Sequence, residues 1–229
     1  MLTSFGTIVS VSLADALGDE ELHPEERAFL RGLEGARRAT WLGGRIALRR
    51  ALAAVGVSCD AILADDRGAP HLPARVRGSI SHKETIALAL ATTALDDDHV
   101  GVGVDVEYDR PLRVDIAKRV LTTAELASLE RFAEGERDHV VRVAFALKEA
   151  VYKAIDPACR RYVGFREVEL DFRVITEPGE IPISTQLAPD PGPLAVRCAW
   201  SAATDASGEA LIVATATASR MRVHAAERS

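Results

Sequence analysis

The sequence predicts an α+β protein, and three stretches carry that prediction. Val100 to Arg110 reads VGVGVDVEYDR. At period two, Val100, Val102, Val104 and Val106 fall on one face and Gly101, Gly103, Asp105 and Glu107 on the other, the pattern of a strand with one face in a core. TIALALAT (85–92) is a run of β-branched and small apolar residues, which reads as a strand covered on both faces. Two longer segments, about 36–55 and 138–155, repeat apolar residues at helical spacing.

The other elements follow in chain order. Residues 1–18 hold Ile8, Val9, Val11 and Leu13 and read as a strand. HPEERAFLRGL (23–33) has Pro24 in a first turn and acids near the positive end of the dipole, so a helix starts there. The helix over 36–55 uses Trp41, Ile46, Leu48, Leu52 and Val55 as its apolar positions and stops at Gly56. Ala61 to Ala64 predicts a short strand, and DDRGAPHLP (65–73) is turn chemistry throughout. SISH (79–82) leads into the 85–92 strand, and Asp96 to Asp98 make a polar turn before the acidic strand. Those two strands are expected to pair as a hairpin, which sets Ser81 and His82 at the same end as Asp105 and Glu107.

Thr122 and Glu125 form a capping box, with a helix to about Phe132. Asp138 is expected to cap the long helix, which ends near Pro157. Beyond Gly164, strands are expected at about 166–174, 194–202 and 210–218, with a Pro/Gly-rich loop over 178–193. No internal sequence repeat is visible, although strands and helices recur in each half.

Composition narrows the function. The chain has 229 residues, enough for one sizeable domain or two small ones. A net charge of −6 argues against general nucleic-acid binding. No apolar run approaches the length of a membrane span. The N-terminus has no basic leader and soon turns acidic. Cys59, Cys159 and Cys198 are scattered and odd in number, which suits a reducing cytosol, and no Cys or His pair has zinc spacing. A cytoplasmic location is therefore expected.

Four groups of residues carry candidate chemistry. Asp105 and Glu107 lie about 7 Å apart along one strand face, and two hard oxygen ligands on a rigid strand can seat Mg²⁺. The neighbouring glycines leave room for a ligand or a backbone to approach. Arg37, Arg38, Arg45, Arg49 and Arg50 stand within one acid-free stretch, either a solvated basic stripe or an anion cradle. Ser81, His82 and Lys83 make a polar knot at a strand end. FALKEAVYKA (145–154) puts Phe145, Glu149, Tyr152 and Lys153 on one side of a helix, with Lys148 beside them. Glu149 and Lys153 also have the i, i+4 spacing of an ordinary surface ion pair.

The order GAP, SISH, GVGVDVE, FALKEAVYKA resembles the 4′-phosphopantetheinyl transferases of the Sfp/EntD type. RRATWLGGR looks like the N-terminal helix of that family, and RYVGF (161–165) resembles a stretch found after its Lys-Glu motif. The resemblance covers about 25–170; the last sixty residues match only in strand-like character. Phe145 stands where members often have Trp, Lys83 where they often have a small residue, and Arg67 where some have lysine.

The resemblance implies a fold of two similar α/β halves related by a pseudo-twofold, 1–99 and 100–229, with coenzyme A between them. It implies transfer of phosphopantetheine from coenzyme A to a serine of an apo acyl- or peptidyl-carrier protein, releasing adenosine 3′,5′-bisphosphate. It also implies roles. Asp105, Glu107 and Glu149 would bind Mg²⁺, with Glu149 as general base. Lys153 would serve the leaving bisphosphate and Lys148 a pyrophosphate or pantetheine-proximal oxygen. Arg37, Arg45 and His82 would hold the 3′-phosphate. Arg67, Gly68, Ala69, Pro70 and His71 would line the adenine, and Ser81 would contact a phosphate or orient its loop. Arg113, Lys118 and Arg119, with Val120 and Leu121, are the candidate carrier-docking patch. A monomer is expected, in fatty-acid, polyketide, peptide or siderophore biosynthesis, with a tilt to secondary metabolism. Two rival readings share these residues: a Mg²⁺-dependent hydrolase of a nucleotide pyrophosphate, and a non-catalytic coenzyme A binder.

Overall fold

The computed structural model describes residues 2–13, 18–93, 96–112, 116–187 and 192–221. It contains two four-stranded antiparallel sheets, each crossed by one long helix. In the first, β1 (Leu2–Thr3) and β2 (Gly6–Ser12) precede α1 (Pro24–Leu30) and α2 (Gly35–Ala54). A hairpin of β3 (Val76–His82) and β4 (Ile86–Thr93) then completes the sheet in the order β1-β2-β4-β3.

The second begins with β5 (His99–Tyr108), followed by α3 (Ala117–Val120), α4 (Thr123–Leu129) and α5 (Glu134–Cys159). After a 3₁₀ turn come β6 (Val168–Leu170), β7 (Gly179–Ile181), β8 (Ile183–Thr185), β9 (Leu194–Thr204) and β10 (Ala210–Arg220). The sheet runs β5-β10-β9-β7, with β6 and β8 as a separate ladder. One topology is thus repeated. A long strand is followed by helices, then by a hairpin whose second strand returns to pair with the first, β4 with β2 and β10 with β5.

Three apolar clusters hold the layers together. Ile46, Leu48 and Leu52 of α2 pack with Val11, Ala89 and Ala91 of the first sheet. Leu147, Val151 and Ile155 of α5 pack with Ile212, Ala214 and Ala216 of the second. The opposite faces of the two sheets meet: Ile8, Ile86, Leu88 and Leu90 pack with Val102, Val104, Val106 and Val213. The valine face of the acidic strand is therefore the seam between halves.

Several expectations change. β4 and β5 do not form a hairpin; each pairs inside its own sheet, because the valine face of β5 is needed against the first sheet rather than beside it. Residues 61–64 form no strand beyond a single bridge, Ala64 to Pro70. The long helix starts at Glu134, and Asp138 lies inside it, its carboxylate accepting from the Leu112 N–H. Pro157 falls within the last turn, and left-handed Arg160 (φ 45°) ends the helix. The 178–193 stretch carries β7 and β8, strands of three residues, too short to show a period. The capping box at Thr122 and Glu125 forms as expected. No helix among the described residues is long and apolar enough to cross a membrane.

Candidate active site

The site begins at the outer edge of β5. Two hydroxyls from β3 satisfy N–H groups of that edge: Ser79 Oγ accepts from Val104 at 3.1 Å and Ser81 Oγ from Val106 at 3.3 Å. The Ser81 hydroxyl in turn donates to Asp105 Oδ1 at 2.8 Å. From the other side Lys153 Nζ donates to the same oxygen at 2.8 Å and to Val104 O at 2.9 Å. Strand, strand and helix thus converge on one carboxylate.

Glycine makes that convergence possible. A Cβ on Gly103 would lie 1.8 Å from Ala150 O, and one on Gly101 2.5 Å from Ala154 O. The room left on this strand face admits the α5 backbone. The close approach brings Lys153 onto Asp105 instead of leaving it in a surface pair with Glu149.

Asp105 is only 5% exposed, and its Oδ2 is buried with no hydrogen-bond partner. An unpaired buried carboxylate oxygen is costly and calls for a cation or donor. Glu149 is half-buried nearby; burial, and then the charge of Asp105, push its pKa above the usual carboxylate value.

Glu107 departs from the expected metal set. Lys83 Nζ lies 2.6 Å from its Oε1, and Arg142 approaches its Oε2 at 3.9 Å. No three His, Cys, Asp or Glu side chains among the described residues gather as a metal cluster. Glu107 is thus balanced by two cations, while its charge, like that of Asp105, also raises the pKa of Glu149.

A cleft of about 900 Å³ opens above this junction. Arg37, Arg45, Arg67, Gly68, Ala69, Pro70, His71, His82 and Lys153 all lie on its wall. Of the basic stretch on α2, Arg49 and Arg50 are taken by Glu26 and Glu21, while Arg37 and Arg45 face the cleft. Arg45 lies 4.9 Å above the Trp41 ring, and its Nε is buried without a partner. Burial, and then Lys153 and Lys83, lower the pKa of His82 and favour its neutral form. Ser81 lies below the wall, bonded to Asp105.

Two further calls are corrected. Lys148 does not face the cleft as a free donor: its ammonium is fully buried and bonds Val120 O at 2.9 Å and Glu125 at 2.6 Å, since a buried ammonium needs a partner. Arg67 reaches the wall, but its guanidinium is bonded to Asp156. In the docking patch Lys118 and Arg119 are exposed, whereas Val120 and Leu121 are core residues. Arg113 lies outside the described residues.

A second hollow of about 340 Å³ adjoins Glu149, lined by Arg119, Phe145, Tyr152, Tyr162 and Phe165. Sequence reasoning passed over Ser79, Arg142 and Asp156. Ser79 had a signal, two residues from Ser81 and so on the same strand face. Asp156, one helical turn beyond Lys153, had one too.

A cleft walled by Arg37, Arg45, His82 and Lys153 beside two repeated α+β halves suits a protein that handles phosphate-bearing ligands. Comparison with known proteins makes the class specific. Residues 25–92 match the 4′-phosphopantetheinyl transferase N-terminal domain, and 101–202 the 4′-phosphopantetheinyl transferase superfamily. The 4′-phosphopantetheinyl transferase Npt of Nocardia iowensis is 30% identical over 167 residues, 73% of either chain. PptT of Mycobacterium tuberculosis is 30% identical over 149 residues, 65% of this chain and 64% of that one. Svp of Streptomyces mobaraensis is 31% identical over 150 residues, 65% and 60%. The chain belongs to the 4′-phosphopantetheinyl transferase superfamily, and its reaction is transfer of 4′-phosphopantetheine from coenzyme A to a serine of a carrier protein.

Proposed function

We propose that the reaction runs where the halves meet, with 1–99 binding the adenylate and 3′-phosphate of coenzyme A and 100–229 carrying the chemistry. The observation that supports this most is the junction of Ser81, Asp105 and Lys153 at the end of an arginine-walled cleft. Arg37 and Arg45 supply charge to the 3′-phosphate, and neutral His82 adds a hydrogen bond. The backbone of Gly68 to His71 walls the adenine. Lys153 stabilises or protonates the leaving bisphosphate. Glu149, its proton affinity raised by burial, takes the proton of the carrier serine. The aromatic hollow beside Glu149 suits the pantetheine arm and the approach of the carrier.

Asp105 and Glu149 would hold Mg²⁺. The orphaned Asp105 Oδ2 supports that assignment, and two carboxylates are enough for an ion that keeps water and phosphate oxygens in its shell. An ion held there would supply positive charge to the pyrophosphate oxygens. Glu107 stays with Lys83 and Arg142. We read the chain as a cytoplasmic monomer with free thiols, acting on carriers of secondary metabolism, siderophore assembly included.

The test is a panel of apo carriers from fatty-acid, polyketide, peptide and siderophore systems, each incubated with coenzyme A and Mg²⁺ and weighed by mass spectrometry. Gain of one phosphopantetheine on some carriers, lost in Asp105→Asn and Glu149→Gln, supports the assignment. Bisphosphate release without any carrier points instead to a hydrolase, and retained transfer in both variants removes the proposed roles.

A further inference from the structure

The strongest unassigned feature is a contact across the cleft. The 65–71 loop belongs to the first half and forms part of the adenylate wall. It is internally stiff: Asp65 Oδ1 accepts from the N–H groups of Arg67 and Ala69, Gly68 turns at φ 86°, and Asp65 N donates to Ala69 O. Such a loop moves as one piece, so its tethers decide where the wall stands.

Its tethers lead to the far end of α5. Arg67 Nε donates to both oxygens of Asp156, at 3.1 and 2.9 Å, and Nη2 donates to Oδ1 at 2.5 Å and to the Tyr152 hydroxyl at 3.3 Å. Neither partner is fully solvated, with side-chain exposures of 24% and 13%. Asp66 adds a second, exposed pair to Arg160, which water weakens. Asp156 stands one helical turn after Lys153. The wall of the nucleotide cleft is therefore pinned to the helix that carries Lys153 and Glu149.

We propose that Arg67 and Asp156 form a clasp between the halves that sets the position of the adenylate wall relative to α5. Arg67 is then a positioning residue and not a phosphate ligand. The proposal rests on coenzyme A occupying this cleft. An acid on the wall of a polyanion site is otherwise unexplained, since it repels the ligand. It earns its place by holding the arginine.

The two roles of Arg67 predict opposite signs for Asp156. Steady-state kinetics with coenzyme A and with its analogue lacking the 3′-phosphate would be run on Arg67→Ala, Asp156→Asn, the double variant, and the exchanged pair Arg67→Asp with Asp156→Arg. Thermal unfolding and the carrier KM are followed in parallel. The clasp predicts that Arg67→Ala and Asp156→Asn each raise the coenzyme A KM about tenfold, that the double variant is no worse than either, and that the exchanged pair recovers most of the loss, as coupled partners do. The carrier KM should hold, and both cofactor forms should suffer alike. A lowered coenzyme A KM in Asp156→Asn would make Arg67 a phosphate ligand with a competing acid and overturn the clasp. So would an exchanged pair as poor as Arg67→Ala. Selective loss of the 3′-phosphate form in Arg37→Ala and Arg45→Ala tests the cleft assignment separately.

Discussion

Glu26 in the first half and Glu125 in the second do the same work. Each is the third residue of a helix with a capping box and returns a bond to its own cap, His23 N or Thr122 N, at 2.7 Å. Each accepts from a basic residue 23 positions later on the long helix, Arg49 at 2.9 Å or Lys148 at 2.6 Å. Each takes a backbone N–H from the segment after that helix, Ile62 or Leu170. The difference lies in the cation. The Arg49 side chain keeps 18% exposure and also donates to Cys59 O and Asp60 O, while Lys148 is wholly enclosed. The first half keeps a wet hub, and the second has a dry one beside α5.

Removing the cation from each hub measures that contrast. Lys148→Met leaves Glu125 buried without its partner and should cost about 3–5 kcal/mol in urea unfolding. Arg49→Met should cost about 1–3 kcal/mol, because water can reach the carboxylate it exposes. Equal losses would break the comparison. At a temperature where Lys148→Met is folded, its coenzyme A KM should stay near wild type, because the ammonium is enclosed and spent on Val120 O and Glu125.

The glycines sharpen the same contrast. Gly103 of β5 is pressed by the backbone of α5, which cannot yield locally, so Gly103→Ala should destabilise by about 3 kcal/mol and lower kcat by shifting Lys153 off Asp105. Gly43 of α2 meets the Leu13 side chain, with Cδ2 2.2 Å from the added Cβ. A side-chain tip can swing away, and alanine gains about 1 kcal/mol over glycine in a helix. Gly43→Ala should therefore be close to neutral by thermal melting.

The smallest effect has an unusual sign. Burial raises the pKa of Glu149 in the folded state. The stability that its proton contributes is present below the unfolded pKa and lost as pH rises through the folded one. At neutral pH the ionised side chain therefore weighs against folding. Glu149→Gln should raise the unfolding midpoint slightly while cutting kcat about 10²-fold or more. A Gln variant less stable than the parent would contradict the burial argument.

Much of this was legible in the chain. Alternation placed Asp105 opposite the valines, and the capping box, α2 and the two late strands are where the patterns put them. The partners of the charges were not legible. Spacing on α5 suggests Glu149 with Lys153, but the glycine-bared strand below offers Lys153 a better acceptor, and only the packed helix reveals it. Spacing likewise cannot say that Lys148 points inward; that follows from where Glu125 lies. No sequence repeat betrayed the duplication, because its halves keep an acid, a base and their separation but little else; the family resemblance alone implied it.

The two serine hydroxyls on the β5 edge also act as an index mark. Ser79 meets Val104 and Ser81 meets Val106, both 25 residues apart, so β3 and β5 run in the same direction at one fixed offset. A slip of one pleat repeat would carry the strands about 7 Å past each other. A misplacement of about 1 Å can already cost transfer chemistry about 10²-fold in rate. Two hydroxyls thus act as a vernier, with a single setting at which the two halves are aligned.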